Sequence, residues 1–289
     1  MFKSIGIIGF VDNLLVRETV NRLIKYLEDS GLDFFVEDDT RDLSNLPEDK
    51  HSCSRAEMGK SCDLVVVVGG DGSMLHAARD MVDFKVPLLG INRGRLGFLT
   101  DIPPTELEQE VGEVLKGNFV TSNRFMLECE LIREGKIVDT GIALNDIVLQ
   151  PRDSIRMIEF SLGINEQYVY TLRSDGLIVS TPTGSTAYAL SGGGPIVHPA
   201  INAINIVPIN PHTLSNRPII VDGDSELEIA ISEHNSINAQ IVCDGQNHIL
   251  GNLGDKVRIR KKQTEIKLIH PSAHSFYETC RSKLHWAQD

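Results

Sequence analysis

Leu64, Val65, Val66, Val67 and Val68 form an unbroken aliphatic run, the pattern of a parallel strand covered on both faces. Apolar residues then recur at helical spacing at Met74, Leu75, Ala78 and Met81, with Ser73 placed to cap the helix start. Upstream, strands near residues 4–9 and 32–36 flank a helix near 14–27. Its Val16, Val20, Leu23, Ile24 and Leu27 share one face, as in a helix laid on a sheet. Another strand near 86–91 continues the alternation, so this part is α/β. The polar segment 37–60 reads as a long surface loop, either a connection or a lid over a ligand.

From about Arg124 the pattern changes to short alternating segments. Phe160, Leu162 and Ile164 are one example, and Leu227, Ile229 and Ile231 another, with turns at Asn165-Glu166 and Asp222-Gly223. This half is mostly β. A helix carrying Leu107, Val111, Val114 and Leu115 gives way to polar residues at 117–123, where the boundary belongs. The chain therefore divides into an α/β domain at 1–120, a β-rich domain at 121–265 and a C-terminal segment at 266–289. That last segment offers a strand, Pro271 and a short helix, and is expected to pack on the first domain.

With 289 residues and 41% hydrophobic content, the chain can bury two cores better than one. A net charge of -12 disfavours nucleic-acid or anionic-membrane binding. Anionic nucleotides remain open to it if local cations or backbone amides meet them. Cys53, Cys62, Cys129, Cys243 and Cys280 are odd in number and lack paired metal spacing. They predict reduced thiols in the cytoplasm rather than a disulfide framework or a zinc site. Residues 1–10 do not resemble a signal peptide and no apolar stretch reaches membrane-spanning length, so a soluble cytoplasmic protein is expected.

The aliphatic strand runs into Gly69, Gly70, Asp71 and Gly72 before the helix. Glycines allow close backbone approach, and a helix start attracts anions, which makes Gly69, Gly70, Gly72 and Ser73 a candidate phosphate loop. Asp71 is out of place beside phosphate unless a divalent cation intervenes or the carboxylate takes a proton from an incoming hydroxyl. Both options indicate phosphoryl transfer; a plain strand-to-helix turn in which Asp71 caps the helix stands beside them. Asn145-Asp146 pairs an amide with a carboxylate, the equipment for two ribose hydroxyls, although the same dipeptide also makes ordinary turns. The hydroxyl-rich stretch from Thr181 to Thr186, followed by Tyr188 and Gly192, Gly193 and Gly194, suits either close ligand approach or a capped helix. Phe98 is a candidate adenine contact or a core residue, Arg93 and Arg95 are candidates for phosphate or for a solvated loop, and His212 reads as structural. Gly6-Ile7-Ile8-Gly9 lacks the spacing of a dinucleotide oxidoreductase fingerprint, and no Gly-Lys-Ser/Thr signature of a P-loop is present.

Gly69-Gly70-Asp71-Gly72, Leu96-Gly97-Phe98-Leu99, Asn145-Asp146, the stretch from Asp175 to Pro195, Pro211-His212-Thr213-Leu214 and Cys243-Asp244-Gly245-Gln246 occur with the residues and order of the bacterial NAD kinases. The resemblance spans nearly the whole chain. Gly-Gly-Asp-Gly alone is similar in 6-phosphofructokinases and diacylglycerol-type lipid kinases; the Thr-Pro-Thr-Gly-Ser-Thr-Ala-Tyr block singles out the NAD kinases.

The resemblance implies a two-domain fold, an α/β Rossmann-like N-terminal domain with a mostly β C-terminal domain. It also implies ATP-dependent phosphorylation of the 2′-hydroxyl on the adenosine ribose of NAD, giving NADP. A divalent cation, usually Mg2+, would ride on the ATP phosphates without a protein cage. Asp71 matches the family's proton acceptor and Gly72 a dinucleotide contact. Asn145 and Asp146 match the pair holding the adenosine side. Asp175, Thr186, Ala187, Tyr188, Ala189, Leu190, Ser191 and Gln246 match further NAD contacts, with Arg156 and Arg173 at positions where the family varies. A homo-oligomer, dimer or tetramer, is implied. A sugar or lipid kinase, an oxidoreductase and a non-catalytic dinucleotide sensor are the alternatives.

Overall fold

The aliphatic run becomes the strand Leu64–Gly69, buried along its full length between two parallel neighbours, Ser4–Gly9 and Leu88–Asn92. The computed structural model describes residues 2–10, 14–44, 46, 51–94, 97–152, 156–213 and 215–286. Arg95, Leu96 and Leu214, named above, lie outside the described residues, as do 45 and 47–50 of the polar segment. The chain forms two units, Met1–Asn123 with Thr264–Asp289, and Arg124–Gln263.

In the first unit a seven-stranded sheet among the described residues has the order Ser52–Cys53, Asp33–Glu37, Ser4–Gly9, Leu64–Gly69, Leu88–Asn92, Ile266–Pro271 and Phe119–Arg124. Helices Leu14–Asp29 and Leu107–Lys116 turn Val20, Leu23, Leu27, Val111 and Val114 onto Ile5, Val66 and Ile91 of that sheet. Each such side chain, once buried, contributes about 1.5–3 kcal/mol of hydrophobic stabilisation. Strand Ile266–Pro271 returns from the far end of the chain and pairs in parallel with Leu88–Asn92, placing Leu268 opposite Leu88.

Two expectations need correction. Ser73 does not cap the helix: Gly70 is extended (φ -110, ψ -170), the helix Asp71–Met81 begins at Asp71, and the Gly70 carbonyl accepts from Ser73 N at 3.0 Å. Nor is 37–60 a plain loop, for it contains helix Asp38–Arg41, strand Ser52–Cys53 and the start of helix Arg55–Ser61. That last helix is fixed by a capping box in which Ser54 and Glu57 satisfy each other's backbone N–H.

The second unit is two antiparallel six-stranded sheets. One runs Gln167–Ser174, Ile158–Ile164, Leu227–Ile231, Lys256–Lys261, Leu127–Arg133, Lys136–Ala143. The other runs Ile219–Asp222, Ala203–Ile209, Gly176–Ser180, Asp146–Pro151, Ala239–Cys243, Asn247–Gly251. Alternate residues of both sheets, among them Phe160, Leu162, Ile229, Leu149, Val179 and Ile241, make one core, as expected of sheets packed face to face. The Asn165-Glu166 turn is a tight hairpin with both residues at positive φ, 50° and 63°.

Candidate functional site

Asp71, first residue of its helix, directs its carboxylate at the turn following Gly97. Oδ2 accepts from Phe98 N at 2.8 Å, while Oδ1 accepts from Leu99 N at 3.0 Å and from the Thr100 hydroxyl at 3.3 Å. The approach requires glycine at position 97, because a Cβ there would stand 1.9 Å from Asp71 Oδ1. Gly69 is under a similar constraint, with Ser73 Oγ 2.2 Å from where its Cβ would be. Asn92 ties down the far side of the turn by donating to the Thr100 carbonyl at 3.2 Å and hydroxyl at 3.0 Å. Three donors thus hold a carboxylate that has about four lone-pair positions, which leaves one for an external proton.

Two other predicted residues lie in this unit. Arg93 donates its backbone N–H to the Gly69 carbonyl at 2.9 Å, and its guanidinium, 3.6 Å from Glu18, is largely buried. Its Nε finds no hydrogen-bond partner among the described residues. Phe98 is half-buried, and the Lys283 ammonium stands 5.6 Å from its ring centre, so an amine already faces the ring proposed for adenine.

In the β unit, Asn145, Asp146, Ala187 and Tyr188 line one cavity of about 360 Å³ with Asp244, Gly245 and His248. Strand Asp146–Pro151 delivers Asp146, buried, to the cavity wall. Thr181 fastens the preceding residues: its hydroxyl donates to the Leu144 carbonyl at 2.5 Å and its N–H to the Asn145 carbonyl at 2.9 Å. Gly184 lies against the same peptide, and a Cβ on it would come within 2.1 Å of the Asn145 oxygen. Burial first, and then the Asp244 charge, push the Asp146 carboxyl up to about 7 against the pull of the Tyr188 backbone N–H. Near neutral pH it is therefore shared between its acid and carboxylate forms.

Of the two readings of the hydroxyl-rich turn, the capped helix is not formed, since neither Thr183–Thr186 nor Tyr188–Ser191 has a side-chain cap. Ser180, Thr181 and Ser185 are wholly buried and bond to the turn's own backbone and its neighbours, Ser185 donating to the Pro182 carbonyl at 2.6 Å and accepting from Val197 N at 3.0 Å. These hydroxyls shape the loop and do not face outward. Thr186 donates to the Thr183 carbonyl at 3.2 Å; Ala189 is packed among Val148, Ile178 and Val207. Tyr188 is 44% exposed, Ser191 is exposed and Leu190 half-buried on the helix Tyr188–Ser191. Asp175 accepts from Asn210 at 3.0 Å, Gln246 sits in the turn after strand Ala239–Cys243, and Arg156 and Arg173 are exposed. None of these last four lines the 360 Å³ cavity. His212 donates its N–H to the Arg173 carbonyl at 3.0 Å.

Asp244 and His248 also line the cavity, and neither stood out in the sequence as a site residue. Asp244 falls within the Cys243-Asp244-Gly245-Gln246 motif, and no local signal in the sequence indicates His248.

Among the described residues, Asp101, His270 and His274 form a cluster whose ligand atoms lie within 4.8 Å of one another. Hydrogen bonding accounts for it: Asp101 Oδ2 is 2.9 Å from His270 Nδ1 and 2.8 Å from His274 Nδ1.

Residues 5–119 match the family model described as the ATP-NAD kinase N-terminal domain, and residues 144–271 that described as the ATP-NAD kinase C-terminal domain. A protein named NAD kinase from Teredinibacter turnerae is 51% identical over 287 residues, covering 99% of this chain and 97% of the relative. Another, from Ectopseudomonas mendocina, is 54% identical over 286 residues, covering 99% and 96%. Among solved structures, yeast NADH kinase complexed with NADH superposes with a TM-score of 0.89 at 26% identity, over 99% of this chain and 89% of that one. An NAD kinase from Archaeoglobus fulgidus in complex with ATP gives 0.75 at 25% identity, over 96% and 99%.

Proposed function

The chain belongs to the NAD kinase family, and on that premise we propose that it transfers the terminal phosphoryl group of ATP to the 2′-hydroxyl of the adenosine ribose of NAD. Asp71 is the general base. It takes the hydroxyl proton on its remaining lone-pair position as the ribose oxygen bonds to the γ-phosphorus, the bridging P–O bond breaks and ADP leaves. A positioned base contributes about 10² to 10⁴ in rate. The observation that carries this reading is the triply held Asp71 carboxylate at the mouth of a glycine turn, because no other side chain among the described residues of that turn is a base.

Asn145 and Asp146 hold the adenosine ribose. The remaining family positions contact the dinucleotide, namely Gly72, Arg156, Arg173, Asp175, Thr186, Ala187, Tyr188, Ala189, Leu190, Ser191 and Gln246. Ala189, being core, does so only through its backbone. Gly69, Gly70, Gly72 and Ser73 cradle the ATP phosphates, and Arg93, whose backbone N–H donates to the Gly69 carbonyl, brings a positive charge to the same segment. Magnesium enters as part of the ATP substrate and neutralises its charge. Two structural relatives, one complexed with NADH and one with ATP, support both halves of the substrate pair. The enzyme works in the cytoplasm as a homo-oligomer. The apolar side chains Ile137, Val138, Tyr168 and Val169, exposed on the two outer strands of one β-unit sheet, support the assembly.

The test is NADP formation by the purified protein with NAD, ATP and Mg2+, with NADH run alongside. Asp71→Asn should lower kcat by at least about 10². Since that substitution would also loosen the 98–100 turn, Thr100→Val serves as the control, as it removes one of the turn's bonds to Asp71 and keeps the carboxylate. Equal losses in the two variants would make Asp71 an anchor and not a base.

A further inference from the structure

Asp244 opens the turn between strands Ala239–Cys243 and Asn247–Gly251 with a left-handed backbone, φ 53°, and Gly245 follows at 68°. This bend folds its side chain back over the entry to strand Asp146–Pro151. Its Oδ2 accepts from Leu144 N at 3.0 Å; its Oδ1 accepts from Asn145 N at 2.7 Å and Asp146 N at 3.3 Å. Its own N–H donates to the Asp146 carbonyl at 2.9 Å. One buried carboxylate therefore collects three consecutive amides, and Thr181 grips the carbonyls on the other side of the same peptides.

A plain strand connection does not require such a group. Burying a carboxylate beside a second one is costly, and a neutral turn residue would close the hairpin without that expense. What the arrangement gains is a fixed direction for the Asn145 and Asp146 side chains at the cavity they share with Asp244. We propose that Asp244 is the positioning residue of the Asn145–Asp146 clamp, setting the orientation of its two side chains at the cavity. The inference rests on the reading of that pair as the holder of the adenosine ribose.

The electrostatics follow from the same geometry. Asp244, Tyr188 and His248 line the cavity with Asp146, Asp244 Oδ1 accepting from the Asp146 N–H at 3.3 Å and the Tyr188 backbone N–H donating to the Asp146 carboxylate. Burial first and the Asp244 charge second oppose ionisation of Asp146, so near neutral pH part of its population carries a proton to donate. Together with the Asn145 amide, the clamp can then both donate to and accept from a pair of vicinal hydroxyls.

Asp244→Asn tests this directly. Asn tolerates the left-handed backbone better than most residues, so the turn is kept while the charge and one acceptor are lost. The expected result is a rise in KM for NAD on the order of tenfold, with kcat and KM for ATP changed by less than about twofold. In the ligand-free variant, the midpoint of Asp146 followed by carboxyl ¹³C NMR should fall from about 7 toward the ordinary carboxylate range. Asp244→Gly, also at ease at positive φ, should lower the midpoint likewise and raise KM for NAD further. In the unmodified protein the amides of Leu144, Asn145 and Asp146 should exchange slowly, a readout that needs no variant to fold. Wild-type KM for NAD in Asp244→Asn, an unmoved Asp146 midpoint, or free-loop exchange at those three amides would each overturn the proposal. Failure of the family-level reading would show elsewhere, as absence of NADP from the unmodified enzyme.

Discussion

At the scale of single residues, the geometry around Asp71 makes Gly97→Ala an informative change. A methyl there would stand 1.9 Å from Asp71 Oδ1 and 2.6 Å from Thr100 Oγ1, so the carboxylate, the turn or both must shift. Overpacking of this kind costs about 1–3 kcal/mol. A lower melting temperature with partial loss of kcat is therefore expected, and calorimetry beside the NADP assay measures both. Asp71 itself was legible as an acidic residue misplaced in a phosphate turn. Its second task, holding the amides of Phe98 and Leu99, was not, since nothing in the sequence says which distant N–H groups a carboxylate meets. Asp244 was hidden for the same reason, its three amide partners lying about a hundred residues away along the chain. In the hydroxyl-rich turn, composition alone did not say which hydroxyls are structural. Its composition suggests ligand contact, yet Ser180, Thr181 and Ser185 spend their hydroxyls on the turn's own backbone and its neighbours.

Among elements, those with strong periodicity could be read and those with local chemistry only in part. The aliphatic strand and the helix Leu14–Asp29 announce themselves through many apolar positions. The helix Arg55–Ser61 is short and mixed in composition, but its Ser54-x-x-Glu57 box was visible and could have been read. That strand Ile266–Pro271 would pair with Leu88–Asn92 was beyond sequence reading, because a short apolar strand carries no address. In the structure Asp101 supplies an anchor, bonding His270 on that strand and His274 just beyond it. Burial would raise the Asp101 carboxyl, but the hydrogen bonds from the two histidines outweigh it and hold it below the ordinary carboxylate range. A group whose pKa is lowered on folding adds stability that is complete above its unfolded value and disappears as pH falls through the folded one. Asp101→Asn should therefore cost about 1–3 kcal/mol at neutral pH, and its melting curve should start to converge on that of the parent as pH falls below about 4 and merge only once pH passes below the lowered folded value. A difference that persists unchanged into strong acid would mean that the anchor is not ionic.

For the whole molecule, the order of motifs along the chain carried more information than any one of them. Gly-Gly-Asp-Gly is shared between kinase families, whereas its occurrence ahead of Asn145-Asp146 and the Thr181–Tyr188 block narrowed the choice to one family, and 51–54% identity over nearly the full length agrees. Assembly is the property that a single chain reveals least. Both outer strands of the Gln167–Ser174 to Lys136–Ala143 sheet expose large apolar groups, with Tyr168 at 72% and Ile137 at 55% exposure. A free sheet edge bearing such groups invites pairing with another chain, and a net charge of -12 would otherwise keep copies apart. If these edges lie in the subunit contact, placing a charge on each should separate the oligomer and leave the monomer folded, because neither side chain belongs to the sandwich core. Ile137→Lys combined with Tyr168→Lys is expected to reduce the sedimentation mass toward 31.9 kDa with an unchanged far-UV spectrum. An unaltered mass would move the interface to another surface, and a monomeric parent would remove the assembly altogether.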